Sequence, residues 1–230
     1  MARAEKTAAI SRSATESAPG VPTYAALRDQ LRAEILSGRI PHGTRLTTAS
    51  LVQRYGFSQM PIREALQALQ GEGLVEIEPH KGACVLSLTA ERVRNIYDLR
   101  AALEALLIRL SLPNLTNAAM AKLTQINHDF REAVAREDLG SIFDLNNAFH
   151  DLIYEHGDND EALLIYKRYA KLLGGLRGTY GYSRLRLKQM AKEHNDILQA
   201  LKAQDEARLE RSVLLHVEGA KNDLLERMGR

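Results

Sequence analysis

The stretch Ser58–Val75, which reads SQMPIREALQALQGEGLV, decides the fold. Its apolar residues recur three and four positions apart, a spacing typical of an amphipathic helix, at Ile62, Ala65, Leu66 and Leu69. Ser58 is of a residue type that caps helices, and a proline such as Pro61 is tolerated in the first turn. Glycines at 71 and 73 end the pattern. The stretch therefore predicts a helix that begins after Ser58 and ends near Gly71.

The sequence on either side of this helix supplies the other elements of a small domain. These are a helix over 24–36, a short helix over about 48–55, and strands over 74–78 and 83–86 that flank a tight turn at 79–82. Gly38 and Gly56 follow the two helices as stop signals. Three helices followed by a hairpin predict a winged helix-turn-helix domain over residues 22–88.

The rest of the chain shows helical patterns without strand signals. Thr89 is predicted to cap the first of these helices, and others are predicted at about 116–136, 138–156, 159–173, 184–203 and 205–228. We interpret the glycines at 174, 175, 178 and 181 as loosening a helix end. The fold class is therefore mainly α, with an all-α bundle of about six helices over residues 89–230. Residues 1–21 are small, polar and aperiodic, which predicts a disordered tail.

Composition and charge narrow the class of protein. Of 230 residues 45% are hydrophobic and 26% charged, which is typical of a globular protein. No run approaches the ~20 apolar residues of a membrane-spanning helix, and the single cysteine suits a reducing compartment, so we expect a cytoplasmic protein with no membrane partner. The net charge is only +2. However, residues 22–63 carry an excess of arginine whereas residues 89–230 are neutral, a pattern expected when one part contacts phosphate.

The predicted winged domain carries a set of candidate DNA contacts. In a helix-turn-helix the first residues of the second helix of the motif reach base edges in the major groove. Gln59 can pair with adenine, and Arg63 can contact guanine or phosphate, although an ion pair of Arg63 with Glu64 is an alternative. Helix starts and the hairpin turn supply further candidates for backbone contacts. The complete candidate set is Thr47, Thr48, Ser58, Gln59, Met60, Arg63, His80, Lys81 and Gly82.

At these residues the sequence resembles a known family. The stretch Leu31–Val85, and above all PIREAL at 61–66 followed by EGLV at 72–75, resembles the N-terminal domain of GntR-family bacterial transcription regulators. The C-terminal helices resemble the all-helical effector domain, of the FCD type, of the FadR subfamily. The family commonly has Arg-Thr before the proline, where this chain has Gln59-Met60. We therefore do not expect the operator sequence to transfer from relatives.

A metal site is predicted within the helical bundle. Asn146 and His150 are four residues apart and project from one helix face, while His194 and His216 lie on two later helices. Inward side chains on facing helices build metal sites in bundles, and three imidazoles with one carbonyl oxygen suit Zn, Ni, Mn or Fe. The resemblance implies the same four positions, with Asn replacing the commoner Asp. Each histidine alone could equally be a hydrogen-bonded core residue, and we interpret His128 and His156 as surface residues.

The resemblance also implies a small carboxylate as effector. Arg100 matches the subfamily's inward arginine, which could hold a carboxylate bidentately, although an ion pair with Glu104 at i+4 is as probable an arrangement. Tyr97 and Arg177 are weaker candidates for the same pocket. These residues predict a ligand-responsive DNA-binding regulator that binds a pseudo-palindromic operator as a homodimer. Of the two signs of regulation, we expect repression.

Two other functions use the same three histidines. A metal-dependent hydrolase would need a general base beside a metal-bound water, for which Asp144, Asp151 and Glu193 are available. A metal sensor would use the ion itself as the signal. The hydrolase hypothesis leaves the winged domain unexplained.

Overall fold

The computed structural model describes residues 24–79 and 81–229, so that His80 and the predicted tail at 1–21 lie outside the described residues. The helices are α1 (Tyr24–Leu36), α2 (Thr48–Tyr55), α3 (Gln59–Gly71), α4 (Ala90–Ser111), α5 (Asn117–Arg136), α6 (Leu139–Tyr154), α7 (Asp160–Tyr180), α8 (Arg184–Ala203) and α9 (Glu206–Met228). The strands are β1 (Arg45–Leu46), β2 (Val75–Glu78) and β3 (Gly82–Val85). The mainly α class, with a winged helix-turn-helix before a bundle of six helices, is confirmed. No helix among the described residues is long and apolar enough to span a membrane.

The sheet has one strand more than the sequence predicted. Its order is β1-β3-β2, and both pairings are antiparallel, with Arg45 opposite Cys84 and Glu76 opposite Cys84 from the other side. The predicted two-stranded hairpin was therefore incomplete. β1 consists of two residues, which is too short for the alternation that marks a strand in a sequence.

Helix ends in the winged part follow their predicted positions, but one cap differs. Thr47 caps α2 because its hydroxyl accepts a hydrogen bond from the Ser50 amide. The Ser50 hydroxyl in turn accepts from the Thr47 amide, which completes a capping box. Ser58 occupies the capping position of α3, yet its side chain makes no capping hydrogen bond. The prediction that the Ser58 hydroxyl caps this helix was therefore wrong, and the residue is left exposed to solvent.

Helix α7 extends seven residues beyond its predicted end at 173. Gly174, Gly175 and Gly178 lie inside it, so the interpretation of these glycines as a loosened helix end was wrong. A Cβ at Gly174 would overlap the ring of Phe143 in α6, and one at Gly175 would lie 2.6 Å from Leu36 Cδ1 in α1. The two glycines let α7 pack closely against α6 on one side and α1 on the other. Helix propensity describes only local preference, so it does not predict glycines at such packing positions.

The winged part and the bundle are joined through a buried carboxylate. Glu72, at the end of α3, accepts from Arg32 of α1 at 2.5 Å and pairs with Lys171 of α7 at 3.0 Å. Arg92 of α4 adds a bond to the Gly73 carbonyl at 3.0 Å. Burial alone would raise the pKa of Glu72, but the hydrogen bonds from Arg32 and Lys171 lower it below its ordinary value. The contact between the two parts is thus partly electrostatic.

We predict that this contact weakens in acid. Glu72→Gln should lower the free energy of unfolding by about 2 kcal/mol at neutral pH, because two cations lose their shared partner. Since the pKa of Glu72 is lowered in the folded chain, its contribution is fully present above the unfolded-state pKa and is lost as the pH falls through the folded-state value. Urea unfolding from pH 7 to pH 3 should therefore show the two proteins converging. Glu132→Gln, at an exposed carboxylate, is the control, and a pH-independent difference for Glu72→Gln would contradict the prediction.

A second prediction concerns the turn of the hairpin. Gly82 has φ +89°, and a Cβ there would lie 2.6 Å from the Leu46 carbonyl oxygen. Gly82→Ala should therefore cost about 3 kcal/mol by urea denaturation, since backbone strain adds to a collision with β1. Gly43→Ala is the matched control, because Gly43 has φ +77° with open space around it. It should cost about 1 kcal/mol, and equal costs would show that the approach to β1 contributes nothing.

Candidate metal and effector site, and candidate DNA-binding surface

Three imidazoles converge in the core of the bundle. His150 comes from α6, His194 from α8 and His216 from α9, and all three are buried. One ring nitrogen from each lies within 4.8 Å of the others, and the Nε2 atoms of His150 and His216 are 3.1 Å apart. The helices thus place the three predicted histidines around one point.

Two of the four metal candidates, His194 and Asn146, have donor atoms without a hydrogen-bond partner in the protein. Both ring nitrogens of His194 are buried without a hydrogen bond, and so is Oδ1 of Asn146. Burial, with the neighbouring His216, lowers the pKa of His150 and His194 well below the ordinary value, so both rings are neutral at pH 7. Neutral imidazole and carbonyl oxygen are the forms that bind divalent cations, and unsatisfied buried nitrogens are costly without one. The donor set therefore fits a divalent metal ion.

Behind His216 lies a partly buried ion pair that no sequence pattern indicated. Glu193 accepts from His216 Nδ1 at 2.8 Å and from Arg186 Nη1 at 2.8 Å. Burial alone would raise the pKa of Glu193, but the bonds from His216 and Arg186 lower it to about 2. Gly219 makes room for the Arg186 guanidinium, which a Cβ there would overlap. Glu193 thus fixes the ring of His216 with Nδ1 protonated and Nε2 turned towards the other histidines.

A second buried pair supports His150. Glu104 is fully buried, and its Oε1 contacts Arg100 Nη2 at 2.6 Å while Oε2 accepts from the Tyr154 hydroxyl at 2.7 Å. The Tyr154 hydroxyl is also 3.4 Å from His150 Nδ1. The alternative weighed for Arg100, an ion pair with Glu104, is therefore formed.

One small cavity joins the predicted effector residues to Asn146 and His216. This inner cavity, of about 40 Å³, is lined by Tyr97, Arg100, Arg177, Asn146 and His216 among others. Arg177 already has partners there, since it contacts Asp223 Oδ2 at 2.5 Å. His150 and His194 do not line the cavity. The structure thus brings all three effector candidates beside two of the four metal candidates.

The other polar residues considered earlier lie elsewhere. Asp144 and Asp151 line separate clefts, and Glu193 is held behind His216, so that none of these three carboxylates lines the inner cavity. His128 is exposed as predicted. His156 is partly exposed, and its Nδ1 is 2.8 Å from the Leu152 carbonyl oxygen.

The candidate DNA contacts fall into two neighbouring groups. A groove of about 500 Å³ between α2, α3 and the hairpin is lined by Thr47, Thr48, Arg63, Lys81 and Gly82. The others, Ser58, Gln59 and Met60, are exposed at the start of α3 but do not line this groove. The hydroxyl of Thr47 is engaged in the capping box, and Gly82 is required by the approach of β1. The described residues show no ion pair between Arg63 and Glu64.

One basic residue near the hairpin was missed. Arg45 of β1 donates to the Lys81 carbonyl at 3.1 Å and lies 3.4 Å from Glu78 Oε1. The hydrogen bond from Lys81, together with the charge of Arg45, lowers the pKa of Glu78. The positive charges of Arg45 and Lys81 therefore exceed the negative charge of Glu78 beside the groove. A short strand such as β1 gives no periodic signal that would have indicated this position.

Comparison with known proteins agrees with this architecture. Residues 23–85 match the family described as bacterial regulatory proteins, gntR family, and residues 95–219 match the FCD domain. The HTH-type transcriptional repressor RspR of Escherichia coli is 27% identical over 204 residues, which are 89% of this chain and 90% of RspR. The gluconate operon transcriptional repressor of Bacillus subtilis is 26% identical over 77% of this chain and 75% of its own length. The structure of McbR/YncC from E. coli superposes with a TM-score of 0.68 at 22% identity, covering 89% of this chain and 98% of that one.

The donor set leads to a prediction for Zn²⁺. Excess Zn²⁺ should raise the free energy of unfolding by about 2.7 kcal/mol at one hundred times its dissociation constant, because the ion would bind only the folded site. His194→Ala should abolish this gain, whereas His128→Ala, at an exposed histidine on α5, should retain it. Thermal unfolding with and without Zn²⁺ measures the effect. An equal gain in both variants would place Zn²⁺ elsewhere on the chain.

Proposed function

The chain belongs to the gntR family of bacterial regulatory proteins, with an FCD domain as its helical part, and from this premise we propose that it is a ligand-responsive, cytoplasmic transcriptional repressor. Its winged part would bind an operator, and its helical part would bind a divalent metal and a small carboxylate that alters operator affinity. As members of this family, the chain and its relatives are regulators and not enzymes, which removes the hydrolase alternative. We assign operator binding to residues 22–88 and effector binding and dimerisation to residues 89–230.

The exposure of the start of α3 carries the DNA-binding part of the proposal. Gln59 and Arg63 project into solvent, and the Met60 side chain is 71% exposed although it is apolar. A recognition helix needs such free side chains at its N-terminal end, where they meet base edges. Lys81 of the hairpin and Thr48 at the start of α2 flank this helix and would contact the phosphates.

We propose that the chain forms a homodimer, because operators of this kind consist of two half-sites. One recognition helix reads only a few base pairs, whereas two copies related by a twofold axis read two half-sites of a pseudo-palindrome. Binding energies of the two half-sites then combine, so specificity rises steeply.

The metal and carboxylate part rests on the orphaned donors of His194 and Asn146 beside the inner cavity. Asn146, His150, His194 and His216 would hold the ion, and an ion with open coordination positions would supply a positive centre that binds a carboxylate. Arg100, Tyr97 and Arg177 line the space next to it. A ligand there alters operator binding only as far as it binds one arrangement of the two parts more tightly than the other.

Selection of source-genome DNA fragments by the purified protein, at about 150 mM salt, tests the function directly. Non-specific phosphate binding is weak at that salt concentration. Recovery of a few fragments that share a short inverted repeat is expected. Absence of enrichment by a folded, Zn²⁺-loaded sample would contradict operator binding by this chain.

The recovered operator permits a sharper prediction. Arg63→Ala should weaken operator binding about tenfold to one hundredfold, the loss expected for one base-edge contact. Arg131→Ala removes an equal charge from an exposed site on α5 and serves as the control. Fluorescence anisotropy with labelled operator at fixed salt measures both variants. Equal affinities for the two would exclude Arg63 from the interface.

A further inference from the structure

Phe143 lies at the boundary between the proposed effector site and two clefts outside it. It lies on α6, one turn before Asn146 and two turns before His150, and its ring packs directly on Gly174 of α7. Any side chain at 174 would overlap the ring, so the glycine creates the notch in which Phe143 rests. The ring is half-buried and is therefore not fixed on all sides by the core.

Three spaces meet at this pair of residues. The inner cavity, of about 40 Å³, is lined by Phe143 and Gly174, and so are two outer clefts of about 390 and 410 Å³. An enclosed water needs roughly 10–15 Å³ by this measure, so the inner cavity accommodates about three heavy atoms, the size of a carboxylate group. A ligand with a longer chain has to pass Phe143.

We propose that Phe143, seated on Gly174, determines the length of carboxylate that the site accepts, and that a longer chain enters the cleft next to Gly178 once the ring is displaced. This inference rests on the proposed function. With the ring in its notch, only the carboxylate end of a ligand fits beside Arg100 and His216. The ring therefore acts on ligand specificity by limiting the space beside the metal candidates.

The two outer clefts differ in chemistry, and the difference decides the route. The cleft next to Gly178 also contains Leu139, Gly140, Gly181 and Tyr182, so glycine and apolar side chains form most of its wall. Its charged lining residues are one acid, Asp144, and one base, Arg177, which is paired with Asp223. Leu139 is 53% exposed there, which leaves apolar surface available to a chain. The other cleft is lined by Arg32, Lys167 and Lys171, which are paired with carboxylates. An apolar chain gains burial in the first cleft and would desolvate paired cations in the second.

Calorimetric titration of the Zn²⁺-loaded full chain with straight-chain monocarboxylates, from acetate to octanoate, tests the proposal. In the wild-type protein, affinity should not rise with chain length. In Phe143→Ala it should rise about fourfold for each added methylene, the gain expected for burying one CH₂ group. Gly174→Ala should show the same trend, since its methyl group expels the ring from the notch while Phe143 is retained.

Gly71→Ala is the matched control, because a Cβ there meets nothing within 4 Å and Gly71 lies on α3, outside the three spaces, and it should behave as the wild type. The same length dependence in wild type, Phe143→Ala and Gly174→Ala would overturn the role of Phe143 while leaving carboxylate binding intact. Adipate binding more tightly than hexanoate to Phe143→Ala would overturn the route, since a second carboxylate favours the basic cleft. If Zn²⁺ binds but acetate binds to no variant, the carboxylate part of the proposed function fails, and this inference fails with it.

Discussion

Burial of three uncharged imidazoles at the centre of an apolar helix bundle is the constraint on which the rest of the helical part depends. Buried polar groups must find partners, and here two of the rings obtain them from further buried residues. His216 binds Glu193, which in turn holds Arg186, and His150 lies beside the hydroxyl of Tyr154. His194 receives none. The pairs of Glu193 with Arg186 and of Glu104 with Arg100 support the orientation of two of the rings, and the unsatisfied donors of this polar core include both nitrogens of His194 and Oδ1 of Asn146.

Helix α7 connects this core to the winged part because it carries adjacent glycines. Gly174 receives the ring of Phe143 from the bundle, and Gly175 receives Leu36 from α1. Because these two positions have no side chains, the α7 backbone directly contacts Phe143 on one side and Leu36 on the other. Close-packed interiors transmit displacement instead of absorbing it, so a shift of α7 at the proposed ligand site would act on α1 as well. Lys171, one turn earlier, pairs with Glu72 and couples the same helix to the end of α3.

Periodic patterns predicted the helices and the winged architecture, and spacing alone placed His150, His194 and His216 on three helices. What the sequence could not show depends on contacts between distant residues. The pairing of Arg186 with Glu193 depends on a gap left by Gly219, which no local pattern indicates. For the same reason glycines inside α7 were interpreted as a helix end, although they are packing positions. β1 was missed because two residues cannot show an alternation.

The arginines of the inner cavity limit what an anionic ligand can gain from them. Arg100 is paired with Glu104, and Arg177 with Asp223, so each cation is already neutralised inside the protein. A carboxylate that approaches either one competes with a resident carboxylate and gains little net attraction. The imidazoles are neutral because burial lowers their pKa, and they add no charge of their own. In the proposed function, the uncompensated positive centre that an anion needs would therefore be the metal ion at the histidines, which would make carboxylate affinity conditional on metal occupancy.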